Sequence, residues 1–281
     1  TVLSRGLGDV YKRQVFMLAF DDTDFSNGRV VSRIGAGYRY NDTVVSKCQN
    51  GACGTFENDF NTQNEPDLIL AEEDHFGRSV SLNHDGSLLA VGKEKDDGED
   101  GSTKDAGAVQ LFKFTNDGGS IVSAATGKAT YVGTIGNGYN YLDTNDPSVH
   151  SVALQNSDKF GTSVAFDKDA NRLAVTFNDK SSPNSNAKPG AVNLYTLTAD
   201  LASATLVGTI GDGYDTKDKD VDLSSSLDAK DLFGEGVDLN ETGSRLVVSS
   251  MLADGRSNTK NASGEVMPVS YTHLTLPTSP K

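Results

Sequence analysis

The chain has few of the residues from which catalytic and metal sites are most often built. Its 281 residues include only two cysteines, four histidines and no tryptophan. Because no second Cys or His pair accompanies the two cysteines, a structural zinc site is disfavoured. The histidines show neither a Ser-His-Asp order nor a metal-ligand spacing. The sequence therefore predicts a protein that is not an enzyme.

Positive charge and long apolar runs are also scarce. There are 25 Lys and Arg against 39 Asp and Glu, which gives a formal net charge of −14 at pH 7. A surface of this sign repels phosphate backbones, so no binding to nucleic acid is expected. No run of about 18 apolar residues occurs, so no insertion into a membrane is expected. No stretch keeps the apolar spacing of a helix, which indicates an all-β chain.

What the chain does contain is an internal repeat that begins with Phe-Gly. The copies start at Phe76-Gly77, Phe160-Gly161 and Phe233-Gly234, and their glycines are 84 and 73 residues apart. Short β-branched and aromatic segments bounded by Gly, Asn, Asp and Ser follow each copy, which is typical of strands. In the middle copy the predicted strands are 161–166, 172–177, 191–197 and 205–210. Each unit is therefore predicted to have four strands.

Four-stranded units with two apolar faces predict blades of a β-propeller, because a blade buries its faces only by stacking on neighbours. We expect a partial propeller of antiparallel blades, two complete and two partial. The predicted boundaries are 15–66 (partial), 67–136, 150–211 and 221–268 (partial). Closure is not expected, so an open arc would carry a raw blade face at each end. The alternative architecture is a β-sandwich.

The two ends of the chain do not follow the repeat. Residues 1–14 and 269–281 break the pattern where they begin, and both resemble translated sequencing-adapter read-through. Such segments are set aside when a fold is predicted. The chain is therefore predicted to be a fragment, with further blades of the same polypeptide beyond both ends.

Three shared segments together resemble the FG-GAP repeat. They are the Asp-x-Phe-Gly-x-Ser-Val start, the apolar stretch from Gly86 to Gly92, and the Gly-Ala-Val-x-Leu-Phe/Tyr strand. This repeat forms the blades of integrin α-chain propellers and of many large bacterial secreted proteins. The closing Ile-Gly-x-Gly-Tyr, and Phe25 to Gly28, look more like the bacterial branch. Over about 15–267, the resemblance implies a propeller, a secreted or cell-surface location, and adhesion or display towards an unknown protein or glycan.

The Phe-Gly pairs are predicted to form the core of each blade. The aromatic rings of Phe76, Phe160 and Phe233 would wedge between blades. Gly77, Gly161 and Gly234 would let the backbone bulge or approach its neighbour closely. The Asp ahead of each pair is predicted to cap the turn into the strand.

In metal-binding members of the family, the hairpin after the Phe-Gly strand carries an Asp-rich calcium loop. Asp167, Asp169 and Asn171 have the alternate spacing that lets oxygens converge on Ca²⁺, and Asn83 and Asp85 are a weaker match. These positions are therefore candidate calcium ligands. The alternative is that they form the turn for backbone reasons alone.

Cys48 and Cys53 flank Asn50-Gly51, a strong hairpin-turn signal that can bring two sulfurs into bonding range. We predict a disulfide there, which implies an oxidising compartment. The alternative is two free thiols.

Loops whose length differs between copies are predicted to make the contacts of a binding module, namely 39–67, 93–105 and 179–188. A hydrolase of lactonase or phosphoesterase type is one rival. It would gather acids and bases where the innermost strands start, but Arg78, Thr162 and Glu235 stand there, which is no consistent set. A purely structural spacer is the other rival.

Overall fold

The computed structural model describes residues 14–19, 24, 29–35, 60–61, 70–71, 73–115, 128–139, 152–185, 187–199, 201, 203–216, 219–255 and 261–270. These residues form fifteen β-strands and no helix. Accordingly, this part of the chain holds no helix that could cross a membrane. Cys48 and Cys53 lie outside the described residues, so the disulfide stays a prediction.

The strands form four sheets. The first contains β1 (Gln14–Ala19), β2 (Arg29–Gly35) and β3 (Phe60–Asn61). Blade I contains β4 (Phe76–Leu82), β5 (Leu88–Lys93), β6 (Ala108–Thr115) and β7 (Lys128–Gly136). Blade II contains β8 (Phe160–Phe166), β9 (Arg172–Phe177), β10 (Ala191–Leu197), β11 (Ala204–Gly211) and β12 (Val221–Asp222). Blade III contains β13 (Phe233–Leu239), β14 (Arg245–Ser250) and β15 (Glu265–Ser270).

The chain divides into two compact units. The first comprises Thr1–Glu72 and Phe112–Tyr131, and the second comprises Glu73–Leu111 and Val132–Lys281. In the first unit, β2 pairs antiparallel with β1 and parallel with β3. The second unit holds all three Phe-Gly copies, and the site lies there.

Strands that follow one another in the chain are neighbours in each sheet, and β8 to β11 of blade II and β13 to β15 of blade III form antiparallel meanders. The predicted all-β fold of antiparallel propeller blades is confirmed. One detail differs: 221–222 was assigned to the last unit, but it forms β12, a fifth strand parallel to β11 of blade II. The carboxylate of Asp220 accepts a hydrogen bond from the Thr209 N–H (2.7 Å), which holds this segment against β11. In addition, β15 extends to Ser270, two residues into the segment predicted to be non-native.

Blade II is covered on both faces. Its inner strand β8 packs against β4 and β5 of blade I and against β13 of blade III. Phe160, Val164 and Leu111 share one core cluster, and Phe233 with Val192 belongs to a second cluster. Burial of each large apolar side chain contributes about 1.5–3 kcal/mol, so stacking on both neighbours adds substantially to the stability of blade II.

The Phe-Gly pairs of blades II and III also join each of these blades to the preceding one through the main chain. The Phe160 N–H donates to the Ala106 carbonyl (2.8 Å), and the Phe233 N–H donates to the Pro189 carbonyl (2.7 Å). The following glycines have φ of +89° at Gly161 and +98° at Gly234, where L side chains are strained. A Cβ on Gly161 would lie 2.5 Å from the Ala108 carbonyl oxygen of blade I. Glycine is therefore required both for the backbone angle and for the close approach.

A second set of bonds joins the tips of the β-hairpins. The His84 N–H of blade I donates to the Lys168 carbonyl of blade II (2.9 Å). The Lys168 N–H in turn donates to the Glu241 carbonyl of blade III (3.1 Å). Blades I, II and III are thus held in one register at both ends of their inner hairpins.

Candidate functional site

The residue after each Phe-Gly pair begins an inner strand, and the structure brings these three positions together. Arg78 Nη2 donates to Glu235 Oε1 at 2.7 Å, although the two residues belong to blades I and III. Thr162 of blade II occupies the equivalent position between them. The three residues that seemed an inconsistent set in the sequence therefore belong to one polar network.

Two further residues complete this network, and sequence reasoning missed both. Glu94 and Asn178 each follow the strand that pairs with the Phe-Gly strand. Arg78 Nε donates to Glu94 Oε2 (3.1 Å), and Asn178 Nδ2 donates to Glu235 Oε2 (2.7 Å). Thr162 Oγ1, which donates to the Lys159 carbonyl (2.8 Å), also lies 3.3 Å from Asn178 Oδ1. Glu94 and Asn178 occupy the same repeat position, directly after the second strand of each blade. An alignment of the copies that included this second strand would have found both.

His75 is the last member of what we call the Arg78 cluster (His75, Arg78, Glu94, Thr162, Asn178 and Glu235). Its Nδ1 lies 3.1 Å from Glu94 Oε1. His75 has a positive φ of 56°, but Lys159 (59°) and Leu232 (54°) have it too at the same repeat position. The backbone angle is therefore a property of the repeat and not strain stored at this site.

The Arg78 cluster sets one guanidinium, that of Arg78, against the carboxylates of Glu94 and Glu235. Burial alone lowers the pKa of Arg78, but the nearby carboxylates of Glu94 and Glu235 raise it by more, so the net pKa is raised. Arg78 thus stays cationic between two carboxylates. Such a cluster is able to bind hydroxyl or amide groups, and the His75–Glu94 pair has the arrangement of a general base with its orienting carboxylate.

The hairpin loop predicted to bind calcium is organised by Arg172. Asp167 Oδ1 accepts the Arg172 N–H (3.0 Å), and Oδ2 accepts from Arg172 Nη1 (3.3 Å). Burial raises the pKa of Asp167, and the bonds from Arg172 offset part of that rise. The same cap occurs in the other blades, where Asn83 Oδ1 accepts the Leu88 N–H and Asn240 Oδ1 accepts the Arg245 N–H.

These contacts fit turn capping better than a calcium site. The cap works equally with an amide, and in blade II a guanidinium already lies against the Asp167 carboxylate where a cation would bind. Asp169 is exposed, and Asp85 accepts bonds from Ser87. Among the described residues, no group of three or more His, Cys, Asp or Glu side chains is placed to hold a metal. Calcium binding by Asp167, Asp169 and Asn171 stays a prediction.

A buried aspartate precedes each Phe-Gly pair, and its counter-charge differs between blades. Asp74 lies 3.4 Å from Lys93, which also pairs with Asp96. Asp158 lies 2.7 Å from Lys180. Blades I and II therefore both have a buried Asp–Lys ion pair. The two lysines, however, come from different positions of the repeat.

In blade III the two corresponding positions are Ser250 and Ala253, and neither supplies a cation. Burial, followed by repulsion from Asp228, Asp254 and Glu265, raises the pKa of Asp231, and the Asp228 N–H that its carboxylate accepts offsets only part of that rise.

The acidic loop at 96–101 is held firmly by blade I. Asp96 is buried against Lys93, and it accepts the hydroxyl of Tyr139 (2.9 Å). The Glu99 N–H donates to the Asn137 carbonyl (3.0 Å). Of the loop's acidic side chains, only those of Glu99 and Asp100 are exposed. It therefore presents two carboxylates from a fixed backbone.

Comparison with known proteins identifies part of this pattern. Residues 70–112 match the FG-GAP repeat family, a segment that includes β4, β5 and the first part of β6. No curated protein matches the chain. Among solved structures, the periplasmic gluconolactonase of Pseudomonas aeruginosa is similar with 14% sequence identity and a TM-score of 0.36, covering 66% of this chain. The chain spans 39% of the length of that protein.

Proposed function

Because the chain carries FG-GAP-like β-propeller blades, we propose that it is a non-enzymatic extracellular binding or adhesion module. It would be a section of a larger secreted or surface repeat protein, and its loops would bind a partner while the stacked blades hold them in place. The carrying observation is the loop at 96–101, which exposes carboxylates from a backbone fixed by buried contacts.

A fixed loop supports binding for a thermodynamic reason. Ordering a mobile loop on association costs free energy, and a loop already held by its blade avoids most of that cost. The loop at 179–188 is held similarly, since the Ser182 N–H donates to the Ala187 carbonyl (2.9 Å) and Lys180 binds Asp158. Two loops from neighbouring blades therefore offer prearranged contact surfaces.

The charge of the chain favours a cationic partner surface. A net charge of −14 accelerates encounter with basic groups and slows encounter with acidic ones. We therefore propose a protein with a basic surface or a glycan that carries amino groups as the first classes to test.

The test is a binding screen against immobilised glycans and extracellular-matrix proteins. Binding should weaken about tenfold or more in the double variant Glu99→Lys, Asp100→Lys, because the loop would then repel a basic partner. The matched control is the double variant Asp215→Lys, Glu241→Lys, which reverses two exposed charges outside this loop. Equal loss in both variants would assign the effect to net charge, and no binding at all would favour the spacer.

The hydrolase alternative has one observation in its favour, the His75–Glu94 pair beside Arg78. A panel of lactones and phosphoesters would test it. Turnover that is abolished by both His75→Ala and Glu94→Gln would establish catalysis at the Arg78 cluster. Turnover that survives both changes would come from elsewhere or from a contaminant.

The proposed location outside the cytoplasm has a chemical test. A disulfide between Cys48 and Cys53 would block alkylation of the protein until a reductant is added. Mass spectrometry should then show two alkyl groups only after reduction. Alkylation without reduction would remove the cysteine argument for an oxidising compartment.

A further inference from the structure

Blade III presents an apolar face that its equivalents in blades I and II bury. Val247, Val266 and Pro268 occupy the repeat positions of Ala174, Val192 and Leu194 in blade II. Ala174 and Val192 are 0% exposed because blade III covers them, whereas Val247 is 43% and Val266 65% exposed. The blade I residues at these positions are also fully buried, namely Ala90, Val109 and Leu111.

The main-chain groups that join one blade to the next are also repeated in blade III. The carbonyls of Ala106 and Pro189, each followed by a glycine, accept the Phe N–H of the next blade. A Cβ on Gly107 or Gly190 would lie far inside van der Waals contact of that Phe carbonyl oxygen. Ser263-Gly264 is the equivalent pair in blade III, with a φ of +75° at Gly264.

No such Phe reaches Gly264 from the described residues. The nearest atom to a Cβ built on Gly264 is the Met251 carbonyl oxygen, at 3.3 Å. The hairpin tips show the same repetition. The N–H groups of His84 and Lys168 each donate to the hairpin tip of the next blade, and Glu241 occupies the equivalent position in blade III. Blade III therefore repeats both sets of joining groups.

One polar residue on this face, Asp238, is placed to accept a main-chain hydrogen bond from a following blade. Asp238 occupies the repeat position of Ser81, and Ser81 Oγ accepts the Phe166 N–H of the next blade (3.0 Å). A carboxylate oxygen at that position accepts a main-chain N–H equally well. The face is therefore complementary to a strand that brings its own N–H groups.

We propose that the face formed by Val247, Val266 and Pro268, with Ser263-Gly264 at its end, binds a further blade whose first strand begins with Phe-Gly. The occupant is a blade of the same polypeptide, because both interfaces already present in this unit join a blade to the next one along the chain. This proposal rests on the register of the repeats and does not depend on the proposed binding function.

An extended chain tests this directly. Ser270 occupies the repeat position of Thr196, so a second copy of 197–255 appended after Ser270 supplies outer strands for blade III and a new Phe-Gly hairpin. Hydrogen exchange in 244–252 and 261–269 should slow about tenfold or more relative to the unextended chain.

Paired glycine variants show whether the protection comes from the proposed contact. In the extended chain, Gly264→Ala should return exchange to the unextended rate, because its Cβ would strike the incoming Phe carbonyl. Gly101→Ala is the control: Gly101 also has a positive φ (+70°), but no atom lies within 4 Å of its Cβ position. It should leave the protection in place.

Three results would overturn the proposal. Unchanged exchange in blade III alongside an ordered appended hairpin would show that the face is not the docking surface. An appended hairpin that stays unfolded while the native blades remain intact would show that the face does not bind such a strand. Self-association of the unextended chain that Gly264→Ala abolishes, without protection in the extended chain, would assign the face to a second copy.

Discussion

Blades II and III share one sequence pattern but differ in what surrounds them. Blade II lies between two sheets, its Asp158 pairs with Lys180, and its inner strand is buried on both faces. Blade III is covered on one face, and its Asp231 has a raised pKa and forms no ion pair with any lysine that the structure describes. The pattern therefore fixes the strands of a blade, whereas burial and counter-charges depend on its neighbours.

The largest change in unfolding free energy is expected when the lysine side chain of Lys180 is replaced. Lys180→Met leaves Asp158 as a buried carboxylate without its cation, which should cost about 3–5 kcal/mol of unfolding free energy. Urea titration followed by circular dichroism would measure it. The control, Lys159→Met, breaks the half-exposed pair with Asp179 and should cost no more than about 1 kcal/mol. Equal costs would show that Asp158 does not depend on Lys180.

Replacing a glycine that lies in a contact between two blades should cost more stability than replacing one that lies on the uncovered face of blade III. Gly161→Ala meets both an unfavourable φ and the Ala108 carbonyl, so a loss of about 2–4 kcal/mol is expected. Gly264→Ala in the unextended chain meets the unfavourable φ and a milder approach, 3.3 Å to the Met251 carbonyl oxygen, so a loss of about 1 kcal/mol is expected. Calorimetric melting of both variants is the measurement. A smaller effect at position 161 than at 264 would contradict the close approach of blades I and II.

The buried aspartates should respond oppositely to neutralisation. The raised pKa of Asp231 means that its charged form is disfavoured in the folded state, so stability is lost as pH rises through that pKa. Asp231→Asn should therefore raise the Tm at pH 7, and the gain should vanish below the pKa of an unfolded Asp. Asp158→Asn should lower the Tm at pH 7, because Lys180 would lose its partner. Melting curves from pH 3 to 7 would reveal whether the two signs differ.

The smallest effect is expected in the hairpin of blade II. If Asp167 is a turn cap, Asp167→Asn should change the unfolding free energy by less than about 1 kcal/mol, since Asn83 and Asn240 make the same bond in the other blades. Asp167→Ala should cost more, about 1–2 kcal/mol. A chelator-sensitive Tm that Asp167→Asn abolishes would instead establish the predicted calcium site.

Strands and blade order were predictable because local signals determine them. The apolar segments between Gly, Asn and Asp gave the second and third strands of blade II at their observed bounds, 172–177 and 191–197. The short strand β12 was missed because Val221–Asp222 has no apolar run, and its pairing depends on Asp220 reaching back to β11.

The Arg78 cluster was only partly predictable. Arg78, Thr162 and Glu235 could be placed at equivalent positions by alignment of the copies, but nothing local shows that Arg78 reaches Glu235 across a blade. Glu94 and Asn178 differ in type between copies, so a search for identical residues passes over them. Pairing that depends on three stacked blades is a property of the packing, which the sequence of one blade does not contain.

The most direct test of the account is native-state hydrogen exchange at β9 and β14. Both strands have hydrogen-bonded neighbours on either side, so they differ chiefly in whether one or two faces are covered. The account predicts markedly slower exchange at Ala174 and Val175 than at Val247 and Val248. Equal rates, or faster exchange in β9, would contradict the claim that stacking against both neighbours is what stabilises a blade.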